Sequence, residues 1–272
     1  MEGLRLVNFK EMQLHSLSDY VKAMETLVNV RPLQSYLQTS IAPVIADWPG
    51  QLFICMAITQ LQKNGPSHSI PASINSFVPV MGPLHVSLNF REQAVMLHHK
   101  FFEKLFHSVF GEAKPLAMKP KPWRVNLLLE LADGAWKLIS GAVTKKFGTI
   151  CKDLEYCTLL DLLDNIVPAV LDVYALLFRS GAIDEYVETI FRLWTFALRW
   201  RRKNYNKAPL AFLSDYFYWK GSKHPFADVI ETHLASFSDY FVENMHSKIR
   251  ANTNAHDSAE DIITQACLID NS

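Results

Sequence analysis

Two acidic residues far apart in the chain have the surroundings of metal ligands. Asp47 ends the apolar run 41–47, whose β-branched residues predict a short buried strand. Glu243 lies in the segment 239–250, whose pattern predicts a helix. A carboxylate at the end of a strand and another on a helix could together bind a divalent cation such as Mg²⁺, which prefers hard oxygen ligands. Catalysis with two cations about 3.5–4 Å apart needs at least one further carboxylate.

The predicted helix at 239–250 carries its polar residues on one side. At about 100° per residue, four of them fall within roughly 60° of one another: Asp239, Glu243, His246 and Arg250. One interpretation is a site helix, in which Glu243 and Asp239 bind metal and the imidazole or guanidinium further along contacts phosphate. The other interpretation is the solvated face of an amphipathic helix, with acid–base pairs one and two turns apart.

Asp47 also has a second interpretation. It precedes a Trp-Pro-Gly sequence, so its carboxylate could cap the N-terminus of the following helix. His85, between two apolar residues, is interpreted as a hydrogen-bonded structural histidine. His98 and His99 are neighbours on a predicted helix and point in different directions, so they do not form a metal pair.

Two basic segments could contact the phosphates of a nucleic acid. The segment 199–207 holds five positive charges and no acid, and its candidate contact residues are Arg199, Trp200, Arg201, Arg202, Lys203, Tyr205 and Lys207. Cations that neutralise the backbone and aromatic rings that stack on bases are the two components of single-strand binding. The second segment, 114–124, is a loop rich in proline and lysine. The alternative for both is a basic helix end that stabilises the preceding helix dipole.

The composition limits the class of protein. With 272 residues, of which 49% are hydrophobic, the chain can bury a substantial core. Its formal net charge is zero, so a nucleic-acid role must come from local patches. The four cysteines lack metal-ligand spacing, and P-loop, dinucleotide-binding, serine-hydrolase and zinc-protease motifs are absent from the sequence. Because no signal peptide or membrane-spanning stretch is recognised, we expect a soluble intracellular protein.

The pattern along the chain predicts a mostly α-helical protein with a small β-sheet, an α+β fold. Strands are predicted at 41–47 and 74–81, with Pro79 favouring an edge position, and a further strand is suspected at 4–9. The predicted helices cover 16–40, 51–62, 88–110, 123–147, 153–179, 184–202, 209–219, 225–252 and 258–270. Pro168 is expected to break or kink the helix that contains it.

Three segments give the chain a resemblance to a known family. They are 44–51 (VIADWPGQ), 81–89 (MGPLHVSLN) and 239–247 (DYFVENMHS). The middle segment is similar to the D-x-x-H-x-x-K-x-x-x-N passage of P-element-like transposases, and the last is similar to their D-x-x-E-N-x-F-S-x-I-R helix. The chain thus resembles a eukaryotic family associated with mobile elements. The resemblance spans roughly residues 43–252 and implies a ribonuclease H-like core with a large helical insertion.

The same resemblance implies domain boundaries. Segments 41–90 and 225–252 correspond to the core, and 91–224 corresponds to the helical insertion. The chain, 1–272, is expected to be a single domain or a fragment of a longer protein.

The resemblance also assigns site residues. Asp47 takes the place of the first catalytic acid and Glu243 that of the last. The second acid should lie just before 83–85, where this chain has Met81 and Gly82, neither of which can bind a cation. Substitutes from elsewhere in the chain would be Asp161, Asp164 or Asp239.

These assignments lead to a hypothesis of function. Because the second acid is missing, we expect a degenerate, transposase-derived protein that keeps the fold and an association with DNA but not the reaction. An active form would use Mg²⁺ or Mn²⁺ for phosphodiester hydrolysis or strand transfer. A nuclear rather than cytoplasmic location and no membrane association are expected, and the oligomeric state is left open.

The alternative hypothesis is a helical protein–protein interaction module. Its basis is a set of aromatic residues that would fill partner grooves or a dimer interface: Phe101, Phe102, Phe106, Trp194, Trp200, Tyr216, Phe217, Tyr218 and Trp219. The first hypothesis requires Asp47 and Glu243 near a shared cation position, with 199–207 facing the same groove. The alternative predicts a contiguous exposed apolar patch instead.

Overall fold

The computed structural model describes residues 10, 12–67, 69–254 and 256–270, with the backbone alone at 267–270. In these residues the protein is mostly α-helical with one small parallel sheet, which confirms the α+β class. The strand suspected at 4–9 lies outside the described residues. The chain forms two compact units, one made of the residues up to Gly82 and those from Phe237 onward, the other of Pro83–Ser236.

Two strands and a series of helices make up the described residues. The strands are β1 (Ala42–Ala46) and β2 (Phe77–Met81). The helices, in chain order, are α1 (Leu17–Val28), α2 (Arg31–Leu37), α3 (Trp48–Asn64), α4 (Pro83–Leu97), α5 (His99–Phe110), α6 (Pro122–Phe147), α7 (Leu154–Leu160), α8 (Tyr174–Ser180), α9 (Ile183–Arg199), α10 (Lys207–Gly221), α11 (Phe226–His233), α12 (Tyr240–Ala251) and α13 (Ala259–Asp270). Three segments that were each predicted as one helix contain two helices each: 16–40, 88–110 and 225–252.

The first unit is built on the two strands and the helix that joins them. β1 and β2 are parallel, with Val44 opposite Pro79, and α3 connects them, since parallel strands need a crossover. Pro79 is tolerated because each strand of this sheet has an unpaired edge in the described part of the chain. The N–H of Gly82 donates to the carbonyl oxygen of Ala46 at 2.7 Å. The C-terminal ends of the two strands therefore lie side by side.

Apolar side chains of α1, α3 and the strand region hold this arrangement. The buried members of the core are Val21, Met24, Leu37, Ile54, Ala57, Leu61, Ile70, Ile74 and Phe77. α1 begins with a capping box, in which Ser16 Oγ accepts from the N–H of Asp19 at 3.3 Å and Asp19 Oδ2 accepts from the N–H of Ser16 at 3.0 Å. Pro32 lies in the first turn of α2, where its missing N–H is not needed, and a new helix begins there.

The second unit, Pro83–Ser236, is helical throughout and contains one irregular passage. Of the break or kink predicted at Pro168, the break is not observed, because the chain continues as a helix through that residue. π-helical turns, Asp161–Ile166 and Ala169–Val173, flank the proline, and the N–H of Val167 donates to Leu162 five residues back. The wider turns accommodate a residue that has no N–H and whose ring would clash with the preceding turn of an α-helix.

Arg91 of α4 stabilises the π-helical passage. Its Nε and Nη2 donate to the carbonyl oxygens of Val170 at 2.9 Å and Leu171 at 2.6 Å, and Nη1 donates to Asn126 Oδ1 at 3.1 Å. Burial lowers the pKa of the Arg91 guanidinium, and the nearby carboxylate of Asp172 opposes that change. Arginine remains charged even so, and its hydrogen bonds are of the stronger, charge-assisted kind.

Replacing Arg91 by methionine is expected to lower the free energy of unfolding by about 2–4 kcal/mol, because two carbonyl groups lose their donors. Chemical denaturation measures this loss. Arg179→Met, at an exposed position of α8, is the matched control and should change stability by no more than about 0.5 kcal/mol. Similar losses for the two variants would contradict the role given to Arg91.

Candidate functional site

Asp47 lies directly after β1 and caps α3. Its backbone is extended, and its Oδ1 accepts a hydrogen bond from the N–H of Gly50 at 2.9 Å. Gly50 allows a close approach to β1, because a Cβ there would lie 2.7 Å from the Cβ of Ala46. Burial raises the pKa of the Tyr20 phenol, and the negative charge of Asp47 adds to the rise. One oxygen of the predicted first acid is thus used in a helix cap.

Asp239 occupies the space in which the side chain of residue 82 would lie. Asp239 is the residue that precedes α12, and it is only 6% exposed. A Cβ at Gly82 would overlap with Asp239 Oδ2 and would lie 2.8 Å from its Cγ and 3.0 Å from the carbonyl oxygen of Ala46. A carboxylate is therefore present beside the end of β2, but it comes from the approach to α12 and not from the strand.

Glu243 lies one turn further along α12. Its Oε1 is 4.0 Å from His246 Nδ1, and its Oε2 is 4.0 Å from Arg250 Nη2. Exposed pairs at this separation contribute little to stability. Met245 and Ile249 are the buried residues of α12. Glu243 thus lies near two basic groups of its own helix, whereas Asp239, on the same predicted polar face, is buried and not solvated.

The acids predicted to bind Mg²⁺ or Mn²⁺ have other contacts in the structure. No group of three or more His, Cys, Asp or Glu side chains in the part of the chain that the structure describes could hold a metal ion. Magnesium requires near-octahedral coordination by oxygen, whereas Asp47 caps a helix and Glu243 faces two groups of its own helix. The other two candidates for the missing second acid have partners within the second unit. Asp161 forms an ion pair with Arg199, and Asp164 accepts a hydrogen bond from Trp136. No catalytic step through a metal follows from these residues.

The basic segment 199–207 divides into an internal part and an outward part. Arg199 Nη2 is 2.8 Å from Asp161 Oδ2, so its charge is neutralised within the unit. The Trp200 ring stacks on Phe196 with ring centroids 5.4 Å apart. These two candidate contact residues therefore anchor the end of α9. Tyr205 is half-buried as well.

The outward part is a strained turn that follows α9. Arg201 has a φ of 52°, in the left-handed region that favours glycine. Its N–H donates to Leu198 at 3.1 Å and the N–H of Arg202 donates to Ala197 at 3.0 Å, the hydrogen-bond pattern of a Schellman motif. Lys223, after α10, has a φ of 54° in a second such turn.

Four side chains of the first turn have no ion-pair partner among the described residues: Arg201, Arg202, Lys203 and Lys207. We refer to these four residues as the basic turn. All but Arg202 are exposed. In the second basic segment, 114–124, two of the charged side chains have partners. Lys119 Nζ is 3.4 Å from Glu92 Oε1, and the Arg124 guanidinium lies over the Trp123 ring at 4.7 Å.

The second unit contains an apolar groove that was not predicted from the sequence. It has a volume of about 730 Å³ and lies among α5, α6 and α7. Its apolar lining includes Phe101, Leu105, Ala132, Ala135, Trp136, Ile139, Val143, Phe147, Leu159, Leu160 and Leu163. The residues on α6 recur at helical spacing, a pattern that predicts a packed face and does not by itself reveal a gap beside it.

Comparison of the chain with protein-family models, with curated proteins and with solved structures finds no match. In the described residues, no helix is long and apolar enough to cross a membrane.

Gly82→Ala is expected to lower the free energy of unfolding by about 1–3 kcal/mol, because the added methyl group overlaps with Asp239. In the double variant with Asp239→Ala, the loss should be smaller than the sum of the two single losses. Gly141→Ala, in α6, is the control, since a Cβ there meets nothing within 4 Å; it should raise stability by about 0.5–1 kcal/mol. Additive losses at Gly82 and Asp239 would show that the two positions are not in contact.

Proposed function

We propose that the chain is a transposase-derived protein that associates with nucleic acid and does not carry out metal-dependent phosphodiester chemistry. The origin is supported by the order of its parts. An acid follows β1, the parallel strand β2 ends beside it, and Asp239 at the start of α12 reaches the same edge of the sheet. This is the order of segments that the resemblance to P-element-like transposases implies.

The positions of the carboxylates support the proposal that the metal-dependent reaction has been lost. Position 82 has no side chain, and the carboxylate in its place packs against the glycine backbone in a buried position. Two-metal chemistry needs acids that share cations about 3.5–4 Å apart. Asp47 and Glu243 each have other roles in the fold, one as a helix cap and one beside a histidine and an arginine.

The basic turn is the observation that carries the nucleic-acid role. It places four cations without ion-pair partners among the described residues between the end of α9 and the first residue of α10, in a stretch that also contains Tyr205. In a protein of zero net charge, such a concentration of one sign is the local patch that phosphate binding requires. The partner we propose is DNA, bound through its backbone without readout of base sequence.

Arg201→Gly and Lys223→Gly form a matched pair that tests the proposal. Both remove a basic residue from a left-handed position, so each should raise the free energy of unfolding by about 0.5–1 kcal/mol. Only Arg201→Gly should weaken binding of a fluorescent single-stranded DNA, and its plot of log K against log salt should lose about 0.7 in slope. Fluorescence anisotropy at several salt concentrations measures both quantities. Equal affinities for the two variants and the parent chain would refute a role for the basic turn.

The absence of metal chemistry is tested by calorimetry with Mg²⁺ and with Mn²⁺. We expect no saturable heat in the parent chain or in the Asp47→Asn, Glu243→Gln double variant, because the described residues contain no group of three or more His, Cys, Asp or Glu side chains that could hold a metal ion. Asparagine is also a good N-cap, so the double variant should fold normally. Saturable binding that the double variant abolishes would show a surviving acidic site and overturn the degenerate assignment.

A further inference from the structure

Contacts join the walls of the apolar groove of the second unit at two places. At one, Trp136 Nε1 of α6 donates to Asp164 Oδ1. At the other, the hydroxyl of Tyr156 on α7 donates to the carbonyl oxygen of Gly148 at 3.0 Å, and the rings of Phe147 and Tyr156 lie 5.6 Å apart. Phe101 and Leu105 of α5 line the same groove. Its size and apolar lining are those of a binding site.

Apolar surface continues from the groove onto the end of the helical hairpin that forms it. Ile150, in the connection between α6 and α7, is 93% exposed, and Leu154, at the start of α7, is 80% exposed. Neither lines the groove. A small molecule bound inside would leave both side chains in water, whereas a protein surface could cover the groove and the hairpin end together. The occupant that accounts for all of this apolar surface is therefore a protein.

The charges at the hairpin end indicate which protein surface fits. Lys145 and Lys146 end α6, Lys152 follows in the connection, and Asp153 and Glu155 begin α7. Both signs are thus present within one short stretch. A partner with a surface of one sign would therefore meet like charge at some of these residues. A surface with the same mixture of signs can place each charge beside its opposite, and this hairpin itself supplies such a surface.

We propose that the groove binds a second copy of this chain. Ile150 and Leu154 of each copy, here called the knob, enter the groove of the other copy. In such a twofold arrangement one patch contacts itself, so every knob–groove contact occurs twice. The knob and the groove lie on the same hairpin, which is the self-complementarity that a closed dimer requires. The inference gives a partner to the interaction hypothesis and does not depend on the nucleic-acid role, which concerns the basic turn.

Sedimentation equilibrium of the full chain tests the dimer. We expect a reversible monomer–dimer equilibrium. The Ile150→Asp, Leu154→Asp double variant changes four side chains per dimer, so we expect it to raise the dissociation constant about ten-thousandfold, at roughly tenfold for each buried aliphatic side chain. Because both residues are exposed in the single chain, the variant should keep the same circular dichroism spectrum. Leu176→Asp, which charges a 64% exposed leucine of α8 outside the hairpin, is the control and should leave the dissociation constant unchanged.

A second variant tests the groove side of the same contact. Ala135→Trp places a large ring in the groove from an exposed position of α6 and should also raise the dissociation constant at least about tenfold. A chain that remains monomeric at all concentrations overturns the proposal. A dimer that resists both the knob and the groove variants also overturns it, because its interface must lie elsewhere. Neither result bears on binding of DNA by the basic turn, which the anisotropy experiment measures separately.

Discussion

The first unit depends on one close packing contact, between the carboxylate of Asp239 and the bare backbone of Gly82. The contact joins two parts of the chain that are distant in sequence, the end of β2 and the start of α12. Because a buried carboxylate needs polar surroundings, its position restricts both the residue at 82 and the path of the chain that enters α12. The same contact explains why an acid cannot be present at position 82 in this fold: the space that its side chain needs is already filled.

In the second unit, the candidate binding residues follow the end of a helix, and the residues within that helix pack the core. The buried residues of α9, among them Ile190, Leu193 and Ala197, recur every three or four positions and hold the helix in the unit. Immediately after the last turn, the chain reverses through a left-handed residue, Arg201, and the side chains of Arg201, Lys203 and Lys207 are exposed. Basic side chains are thus concentrated just beyond the part of the helix that packs against the core. The corresponding turn at Lys223 has the same backbone and a lower density of cations.

Much of the fold could be predicted from the sequence, because the relevant signals are local. The β-branched run before Asp47 identified β1, and apolar periodicity identified most helices. The breaks inside three predicted helices were missed, since apolar spacing continues across them. The helix does not break at Pro168 because π-helical turns accommodate the proline, and their contacts with Arg91 on another helix have no local sequence signature. The packing of Asp239 on Gly82 was beyond prediction for the same reason, since only tertiary structure brings the two together. The N-cap role of Asp47, by contrast, was readable from the residues that follow it.

The burial of α6 changes abruptly along its length. Its buried residues, Val125, Leu128, Leu129 and Ala132, all lie in the first half, and the remaining turns up to Phe147 contribute none. The hydrogen bonds of one continuous helix are therefore protected to different degrees. The far half can open without disturbing the core, so its amide protons should exchange with solvent through local fluctuations and those of the near half only through larger ones. A molecule that binds the far half would then act by ordering turns that already have the right shape, and its effect would be visible in their dynamics more than in their coordinates.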